Sequence, residues 1–522
     1  MKRELFLEWL RKQPDFVWDV VIIGGGATGL GCAVDAATRG FSTLLLEQAD
    51  FAKGTSSRST KLVHGGVRYL AQGDLSLVFE ALHERGLLMQ NAPHLVKNQP
   101  FIIPLYEWWE GPFYNIGMKV YDLMAGKLGF GPSQKLNKEE TLQAIPNLDQ
   151  KGLIGGVIYY DGQFDDSRLA VNLAQTAVDH GAVVLNYVKV TALSKDHFGI
   201  LNGLTARDQE SGEMLPIKAR TIINATGIFT DQIRHLDEPQ SPPQLVLSQG
   251  VHLVVGADFL QGESSIMIPH TDDGRVLFAV PWHKKVIIGT TDTPVSEATL
   301  EPTARQEEID FLLTASARYL KKDPQPADVL SIFAGLRPLA APHGLNASTK
   351  DISRRHQITV SRSGFISVTG GKWTTYRKMA QETIDQAILV GGFEEKECVT
   401  KNLHIHGYRL NTNFEEPLYY YGDDRPQIEE LINEKTDLGQ PLHPDLPYLK
   451  GEVIWSVRHE MARNIEDFLA RRSRALFLDA RASKQMAEPV ARLMAAELNK
   501  SKNWIEQQVE QFNKLAQNYL LE

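Results

Sequence analysis

Cysteine is almost absent from this chain of 522 residues, which contains only Cys32 and Cys398. Two distant cysteines allow no disulfide framework, no Cys-x-x-Cys pair and no cysteine-based metal site, and nothing else in the sequence indicates a metal. An excess of positive charge is also missing, since 55 lysines and arginines stand against 64 acidic residues, a net charge of −9. This balance argues against general nucleic-acid binding.

Long apolar runs are missing as well. No uninterrupted stretch approaches the roughly 20 residues that a membrane-spanning helix needs. The polar, charged residues 1–10 do not fit a secretory signal, so we expect a reducing, cytoplasmic location. Hydrophobic residues make up 43% of the chain and charged residues 23%, which is typical of globular proteins. The length predicts two or three domains.

A glycine-rich turn after an apolar strand is the most informative motif. Residues 19–23, Asp-Val-Val-Ile-Ile, predict a buried parallel strand, and residues 24–29, Gly-Gly-Gly-Ala-Thr-Gly, match G-x-G-x-x-G. Gly24 would form the tight turn, and Gly26 would let the backbone approach a pyrophosphate at a helix N-terminus. Gly29 would let the following helix pack closely on the strand.

The next segments complete a βαβ unit. A helix is predicted over residues 30–39, ended by Gly40, and a second strand over residues 41–46. Glu47 closes that strand, where a carboxylate can accept hydrogen bonds from a ribose. The unit predicts a dinucleotide site, but the fingerprint alone does not separate NAD from FAD.

Two later strands that end in glycine favour FAD as the cofactor. Residues 219–227 form an apolar run that ends with Ala225 and Gly227, and the run over residues 364–370 ends with Gly370. A nucleotide site built from segments this far apart is typical of a discontinuous FAD domain. The second run would place a helix N-terminus near the flavin pyrimidine, where it stabilises negative charge.

These segments predict an α/β fold. Its parts are a discontinuous Rossmann-like FAD-binding domain of the glutathione-reductase type, an α+β substrate or cap domain and a C-terminal α-helical domain. The expected limits are 17–85, 150–245 and 328–390 for the FAD-binding domain, 86–149 and 246–327 for the cap domain, and 400–522 for the helical domain.

Residues 55–70, Thr-Ser-Ser-Arg-Ser-Thr-Lys-Leu-Val-His-Gly-Gly-Val-Arg-Tyr-Leu, follow the fingerprint closely. They combine hydroxyls, cations, a histidine and paired glycines where the reactive ring of a flavin would lie, and so indicate a flavin enzyme acting on an anionic substrate. The further side chains and glycines expected to contact the flavin or its phosphates are Ser56, Ser57, Thr60, Lys61, His64, Gly65, Lys372, Thr374 and Thr375.

With these motifs laid out, the chain closely resembles the FAD-dependent glycerol-3-phosphate dehydrogenases, the quinone-linked bacterial and mitochondrial enzymes. The resemblance covers about residues 19–482 and is most specific at 54–70, 334–339 and 369–378. It implies oxidation of sn-glycerol 3-phosphate to dihydroxyacetone phosphate, with electrons passing from FAD to a membrane quinone.

Three alternatives to this reading stay open. A glycerophosphate oxidase would perform the same half-reaction with oxygen as acceptor. An amine or amino-acid oxidase would share the FAD fold but should carry a carboxylate clamp. A non-catalytic flavin-binding protein would not need so many polar groups beside the flavin segments. The sequence also leaves open whether the chain forms a homodimer.

The resemblance assigns roles to several cations. Arg68 and Arg337 match substrate-binding positions of the family, and a guanidinium fork suits the phosphate of the substrate. Tyr69 and Lys372 match positions beside the substrate and the flavin. His252 aligns with an active-site histidine, and an ordinary histidine pKa near 6.5 suits removal of the C2 hydroxyl proton. We therefore expect His252 and Arg337 to be catalytic.

His64 is the competing histidine for the role of base. It lies between Lys61 and the glycines that the sequence places beside the flavin, a position that fits a cofactor neighbour better than a base. From the residues alone, His252 could equally be an ordinary strand histidine. The family resemblance decides in favour of His252.

An aromatic segment over residues 108–130 raises the question of the membrane. It contains Trp108, Trp109 and Tyr121 together with Lys119 and Lys127, a mixture typical of interfacial elements. The alternative is a buried helical insertion that covers the active site. Because the family is monotopic, we expect this segment to hold the protein peripherally on the inner face of the cytoplasmic membrane.

Overall fold

The structure is a computed structural model that describes residues 1–66, 74–107, 110–269, 271, 275–341 and 355–521. Its α-helices, in chain order, are α1 Arg3–Lys12, α2 Ala27–Thr38, α3 Leu75–Asn91, α4 Glu110–Ala125, α5 Lys138–Ala144, α6 Asp166–Asp179, α7 Thr230–Asp237, α8 Gln306–Ala317, α9 Tyr376–Gly391, α10 Arg425–Glu434, α11 Lys450–His459, α12 Ala475–Leu478, α13 Ala480–Leu498 and α14 Lys502–Gln517. Its strands are β1 Val17–Ile23, β2 Thr43–Leu46, β3 Leu62–Val63, β4 Val96–Leu105, β5 Gln134–Asn137, β6 Gly155–Phe164, β7 Val183–Leu185, β8 Val188–Lys195, β9 Leu201–Asp208, β10 Met214–Asn224, β11 Leu245–Gly256, β12 Ser265–Ile268, β13 Leu277–Trp282, β14 Lys285–Gly289, β15 Thr293–Val295, β16 Val329–Ala340, β17 Gln357–Val360, β18 Ile366–Thr369, β19 Pro441–His443 and β20 Leu446–Leu449.

The first sheet carries the dinucleotide fingerprint. Its strands run in the order β17-β18-β10-β1-β2-β7, and β1 pairs in parallel with both β2 and β10. On one face of β1, Val20 and Ile22 are buried in a core shared with helices α2, α6 and α9. On the other face, Val21 and Ile23 are buried in a core shared with β8, β9 and α1. Helix α2 follows β1 directly, as the glycine pattern predicts. This arrangement confirms the predicted Rossmann-like fold.

The second sheet, called the cap sheet below, is largely antiparallel. Its strands run in the order β15-β11-β14-β13-β12-β4-β6-β3, with β16 on β11 and β5 on β6. Three of these strands, β3, β6 and β16, fall in segments expected to belong to the FAD-binding domain, and the two long ones, β6 and β16, correct the sequence-based limits. Both pair along ten or more residues with distant strands, β4 and β11, and the residue pattern of a single strand does not report such partners.

The C-terminal part is helical, as predicted, with the small hairpin β19–β20 added. Two helices, α13 and α14, end this part, and they are separate because Asn499 takes a left-handed conformation after α13 and the Ser501 hydroxyl caps α14. Buried apolar side chains of α12 and α13 join those of α2 and α9 in one continuous core. Among the described residues, no helix combines the length and the apolar character needed to cross a membrane.

Candidate active site

A carboxylate accepts a hydrogen bond from the backbone of the glycine-rich turn. Glu47 accepts hydrogen bonds from the backbone N–H of Gly25 at 2.6 Å and from that of Ala49 at 2.8 Å. Burial raises the pKa of Glu47, and these two N–H groups oppose the rise. A Cβ at Gly29 would lie 1.9 Å from the carbonyl oxygen of Gly24, so this position requires glycine for the close packing of α2 on the turn.

Most of the site residues predicted from the sequence line one cavity. It is lined at the ends of β1, β2, β10, β16 and β18, by β11 and by the loop before β3. The expected residues that line it are Gly24, Gly26, Glu47, Ser56, Thr60, His64, Ala225, Gly227, His252, Arg337, Gly370, Lys372 and Thr374.

Two loops are joined beside this cavity. The indole N–H of Trp373 donates to the carbonyl oxygen of Ser56 at 2.8 Å, and the backbone N–H of His64 donates to the Thr374 hydroxyl at 3.2 Å. The Ser56 hydroxyl accepts from the N–H of Ala27 at 3.0 Å, at the start of α2. These bonds explain why residues more than 300 positions apart line the same cavity.

Several residues expected to contact the cofactor do not line the cavity. The Lys61 ammonium lies 2.8 and 2.9 Å from the two carboxylate oxygens of Asp166, and it donates to the carbonyl oxygen of Ser57 at 2.6 Å. The expectation that the Lys61 side chain binds the flavin is therefore wrong. Ser57, Gly65 and Thr375 are also buried and do not line the cavity.

Gly65 instead donates its N–H to the Tyr121 hydroxyl at 2.9 Å. Arg68 and Tyr69 lie outside the described residues, so their proposed contacts with the substrate stay predictions.

His252 lies on β11 with its ring almost enclosed. Its Nε2 is 2.9 Å from the Thr60 hydroxyl, and its ring stacks on Phe333 with centroids 4.8 Å apart. Burial lowers the pKa of His252 well below its ordinary value, and the charges of Arg337 and Lys61 lower it further. The imidazole is therefore neutral at physiological pH, as a proton acceptor must be.

Strand pairing places Arg337 on the same face of the sheet as His252. In the antiparallel pair of β11 and β16, His252 is opposite Phe333 and Ser248 is opposite Arg337. Ser248 and His252 are four residues apart on β11, so their side chains point to the same face, and Arg337, opposite Ser248, points to that face too. Both His252 and Arg337 line the cavity. This placement comes from two strands that are remote in sequence.

Three residues that the sequence did not single out orient Arg337. One guanidinium nitrogen donates to the Thr290 hydroxyl at 3.0 Å and the other to the Ser248 hydroxyl at 3.5 Å, while an Asp292 oxygen lies 3.7 Å away. No local motif marks these residues, because only the pairing of β11 with β16 and the turn after β14 bring them to Arg337.

The groups around the cavity fit FAD. Gly26 precedes α2 and has no side chain to cap it, and Ser56 accepts only the N–H of Ala27, so the other backbone N–H groups of the first turn remain for a pyrophosphate. A Cβ at Gly26 would come within 3.1 Å of the Ser56 hydroxyl oxygen, which shows how closely the loop 54–60 covers this turn. The Glu47 carboxylate, which the sequence predicts to bind the ribose, lines this cavity, and so do Gly370 and Lys372 in the segment before α9.

Known proteins similar to this chain include FAD-dependent oxidoreductases, which agrees with a cavity that fits FAD. The family model described as FAD dependent oxidoreductase matches residues 19–377, and the model described as the C-terminal domain of alpha-glycerophosphate oxidase matches residues 366–505. A probable mitochondrial glycerol-3-phosphate dehydrogenase of Caenorhabditis elegans is 41% identical, and the match covers 95% of this chain and 72% of that protein. The mitochondrial glycerol-3-phosphate dehydrogenase of Homo sapiens is 38% identical with the same coverage.

Solved structures place the chain in the same group. The glycerol-3-phosphate dehydrogenase from Bacillus halodurans, complexed with FAD, is 29% identical with a TM-score of 0.76, and covers 98% of this chain and 97% of its own. The L-alpha-glycerophosphate oxidase of Mycoplasma pneumoniae shares the fold at a TM-score of 0.57 and 18% identity over 74% of this chain. The chain therefore belongs to the FAD-dependent oxidoreductases and, within them, to the glycerol-3-phosphate dehydrogenase family.

Proposed function

We propose that this chain oxidises sn-glycerol 3-phosphate to dihydroxyacetone phosphate. The observation that carries the proposal is the pair formed by His252 and Arg337, a buried neutral base and a guanidinium on one face of the cap sheet. FAD, when bound, supplies the acceptor for the hydride that leaves C2. The resemblance and the family membership agree with this chemistry.

The positively charged side chains bind the substrate phosphate, and the neutral histidine accepts a proton. Arg337 binds the substrate phosphate through its two terminal nitrogens, which Thr290 and Ser248 hold in a fixed orientation. Lys372 lines the same cavity and adds a second positive charge. His252 accepts the proton of the C2 hydroxyl. The glycerol phosphate is thus held at its charged end while its hydroxyl faces the base.

A turnover assay with a soluble dye tests the substrate. The FAD-loaded protein should form dihydroxyacetone phosphate from sn-glycerol 3-phosphate, and glycerol should give no product because Arg337 has no phosphate to bind. Equal rates with glycerol would overturn the assignment of substrate class.

For the final electron acceptor we propose a membrane quinone. Relatives named as dehydrogenases match 95% of this chain, whereas the oxidase structure is 18% identical and shares the fold alone. The competing oxidase function predicts fast peroxide formation in air. Substrate-reduced protein should reoxidise faster with a quinone than with oxygen, and the reverse order would overturn the proposal.

We also propose that α4 contacts the membrane surface, which places the protein at the inner face of the cytoplasmic membrane. Ile116, Val120 and Leu123 are 65%, 40% and 82% exposed and lie at spacing i, i+4, i+7, on one face of α4. Helix α3 packs against α4 and adds the exposed Leu75 and Phe79. Such an apolar helix face suits an interfacial position.

Tyr121 does not belong to this face. It is buried, and its hydroxyl donates to Asp161 at 2.6 Å, so the expectation that Tyr121 meets the membrane is wrong. Trp108 and Trp109 lie outside the described residues, and so does the side chain of Lys127.

Vesicle sedimentation tests the contact. Replacing Ile116, Val120 and Leu123 with serine should release the protein from anionic vesicles and lower quinone turnover, while reduction of a soluble dye is spared. A matched control replaces Phe198, Leu389 and Leu410, exposed apolar residues outside α3 and α4, with serine. Equal loss of binding in both triple variants would refute α4 as the contact.

A further inference from the structure

His252 has one nitrogen available for proton transfer. The ring is 2% exposed, Phe333 covers one face, and a Cβ at Gly289 would lie only 2.2 Å from its Cδ2. Its Nδ1 is buried and has no hydrogen-bond partner among the described residues. The Nε2 atom therefore remains, and the Thr60 hydroxyl oxygen lies 2.9 Å from it.

Thr60 lies at the cavity beside this nitrogen. Both Thr60 and His252 line the cavity, but the Thr60 side chain is half-buried whereas His252 is only 2% exposed. Because the Thr60 oxygen contacts Nε2, it offers a proton from a ligand in the cavity a path to the ring. The hydroxyl can carry that proton because it donates and accepts at the same time.

Both neighbours of Thr60 are anchored to the same buried carboxylate. The Ser59 hydroxyl donates to Asp166 at 2.7 Å, and the Lys61 ammonium lies 2.8 Å from the same residue. Lys61 has a φ of +63°, a left-handed conformation that is uncommon for a residue with a side chain. Phe164 further fixes this segment by donating its N–H to the Lys61 carbonyl at 3.0 Å. The position of the Thr60 hydroxyl is thus set by its surroundings.

Resting on the proposed function, we infer that Thr60 is a further catalytic residue, a relay that passes the substrate C2 hydroxyl proton to Nε2 of His252. The neutral imidazole then carries its hydrogen on Nδ1, so Thr60 donates to Nε2 and its oxygen accepts the substrate O–H. Asp166 acts as a positioning residue through Ser59 and Lys61.

The transfer balances at each atom. The Thr60 O–H bond breaks as the Nε2–H bond forms, and the proton of the substrate O–H replaces the one that Thr60 gave. The electron pair of the substrate O–H bond forms the C2 carbonyl, while the C2–H pair leaves as hydride to the acceptor of the proposed reaction. The imidazole ends with one extra proton and Thr60 is unchanged.

Hydroxyl-free variants test the relay. Thr60→Val keeps the shape of threonine, and Thr60→Ala removes its bulk. Both variants should slow anaerobic flavin reduction by sn-glycerol 3-phosphate by about a hundredfold or more, the rate factor that general acid–base catalysis typically contributes. Thr60→Ser keeps the hydroxyl and should stay within about tenfold of the wild type on the same scale. The control is Ser483→Ala on α13, since the buried Ser483 hydroxyl has no partner among the described residues and does not line the cavity.

A second readout does not depend on turnover. In cofactor-free protein with ¹⁵N-labelled histidine, Thr60→Val should shift the His252 resonances, because Nε2 loses its hydrogen-bond donor, and Ser483→Ala should not. Wild-type reduction rates in both hydroxyl-free variants, or equal slowing in Thr60→Ser, would overturn the relay. If the wild type itself is not reduced by sn-glycerol 3-phosphate, the proposed function fails instead.

Discussion

Asp50 and Arg472 form an ion pair from which water is excluded, although 422 positions separate them in the sequence. Arg471 donates to the same carboxylate from the next position. Burial raises the pKa of Asp50, but Arg472 and Arg471 outweigh it and lower the pKa to about 2. Asp50 lies just after Glu47, so these arginines tie the C-terminal helical part to the loop that lines the cofactor cavity.

Replacing Asp50 with asparagine should therefore destabilise the whole chain. It leaves two buried guanidinium groups without their carboxylate, which costs about 3–5 kcal/mol in comparable buried pairs. Urea unfolding monitored by circular dichroism measures the change. The control Glu488→Gln breaks the exposed pair with Arg492 and should cost at most about 0.5 kcal/mol. Similar small losses in both variants would show that the buried pair is not structural.

Glu47→Gln should weaken the binding of FAD. The variant loses a charge-assisted hydrogen bond to the ribose, worth roughly 1.5–3 kcal/mol, and its amide nitrogen faces a backbone N–H of Gly25 or Ala49. Fluorescence titration of cofactor-free protein with FAD measures the change. Unchanged FAD affinity would place Glu47 outside the ribose site.

Arg337→Leu should abolish turnover while leaving FAD bound. Two charge-assisted hydrogen bonds to the phosphate are lost, about 3 kcal/mol or more, which corresponds to a fall of a hundredfold or more in kcat/KM. Arg337→Lys should recover little, because an ammonium does not reproduce the guanidinium fork. Steady-state kinetics with a dye acceptor give the comparison. Near-normal affinity of Arg337→Leu for glycerol 3-phosphate would remove this residue from the site.

His252 should stay neutral when the pH is lowered through 6.5. Burial favours the uncharged ring, and the nearby Arg337 and Lys61 disfavour a second positive charge, so protonation needs a more acidic solution. A ¹⁵N histidine titration of substrate-free protein should place its midpoint below pH 6.5, and Arg337→Leu should raise that midpoint. A midpoint at or above 6.5 would contradict the buried, neutral base.

The sequence predicts the βαβ unit correctly because its signals are local. The strand before Gly24, the helix after it and the carboxylate of Glu47 follow within one βαβ unit, and β1, α2 and β2 have the expected order. The prediction that His252 and Arg337 belong to one site was reached through the family resemblance. Its geometric basis, the register of β11 against β16, has no local pattern in either strand.

Side-chain partners that are remote in sequence explain the errors. A lysine such as Lys61 is a common phosphate ligand, yet its ammonium is buried in an ion pair with Asp166, 105 positions later. Tyr121 belongs to an aromatic segment with interfacial character, yet Asp161 and Gly65 bind its hydroxyl in the interior. A pattern along one helix shows which residues are apolar, but only the packed fold shows which face is exposed.

Anaerobic mixing of the FAD-loaded protein with substrate tests the central claim most directly, because it isolates the half-reaction at the His252 and Arg337 site from every acceptor. We expect sn-glycerol 3-phosphate to bleach the flavin absorbance and to yield dihydroxyacetone phosphate in an amount equal to the flavin, while glycerol at the same concentration leaves the flavin oxidised. A flavin that stays oxidised with sn-glycerol 3-phosphate, or that glycerol bleaches equally fast, would contradict the account.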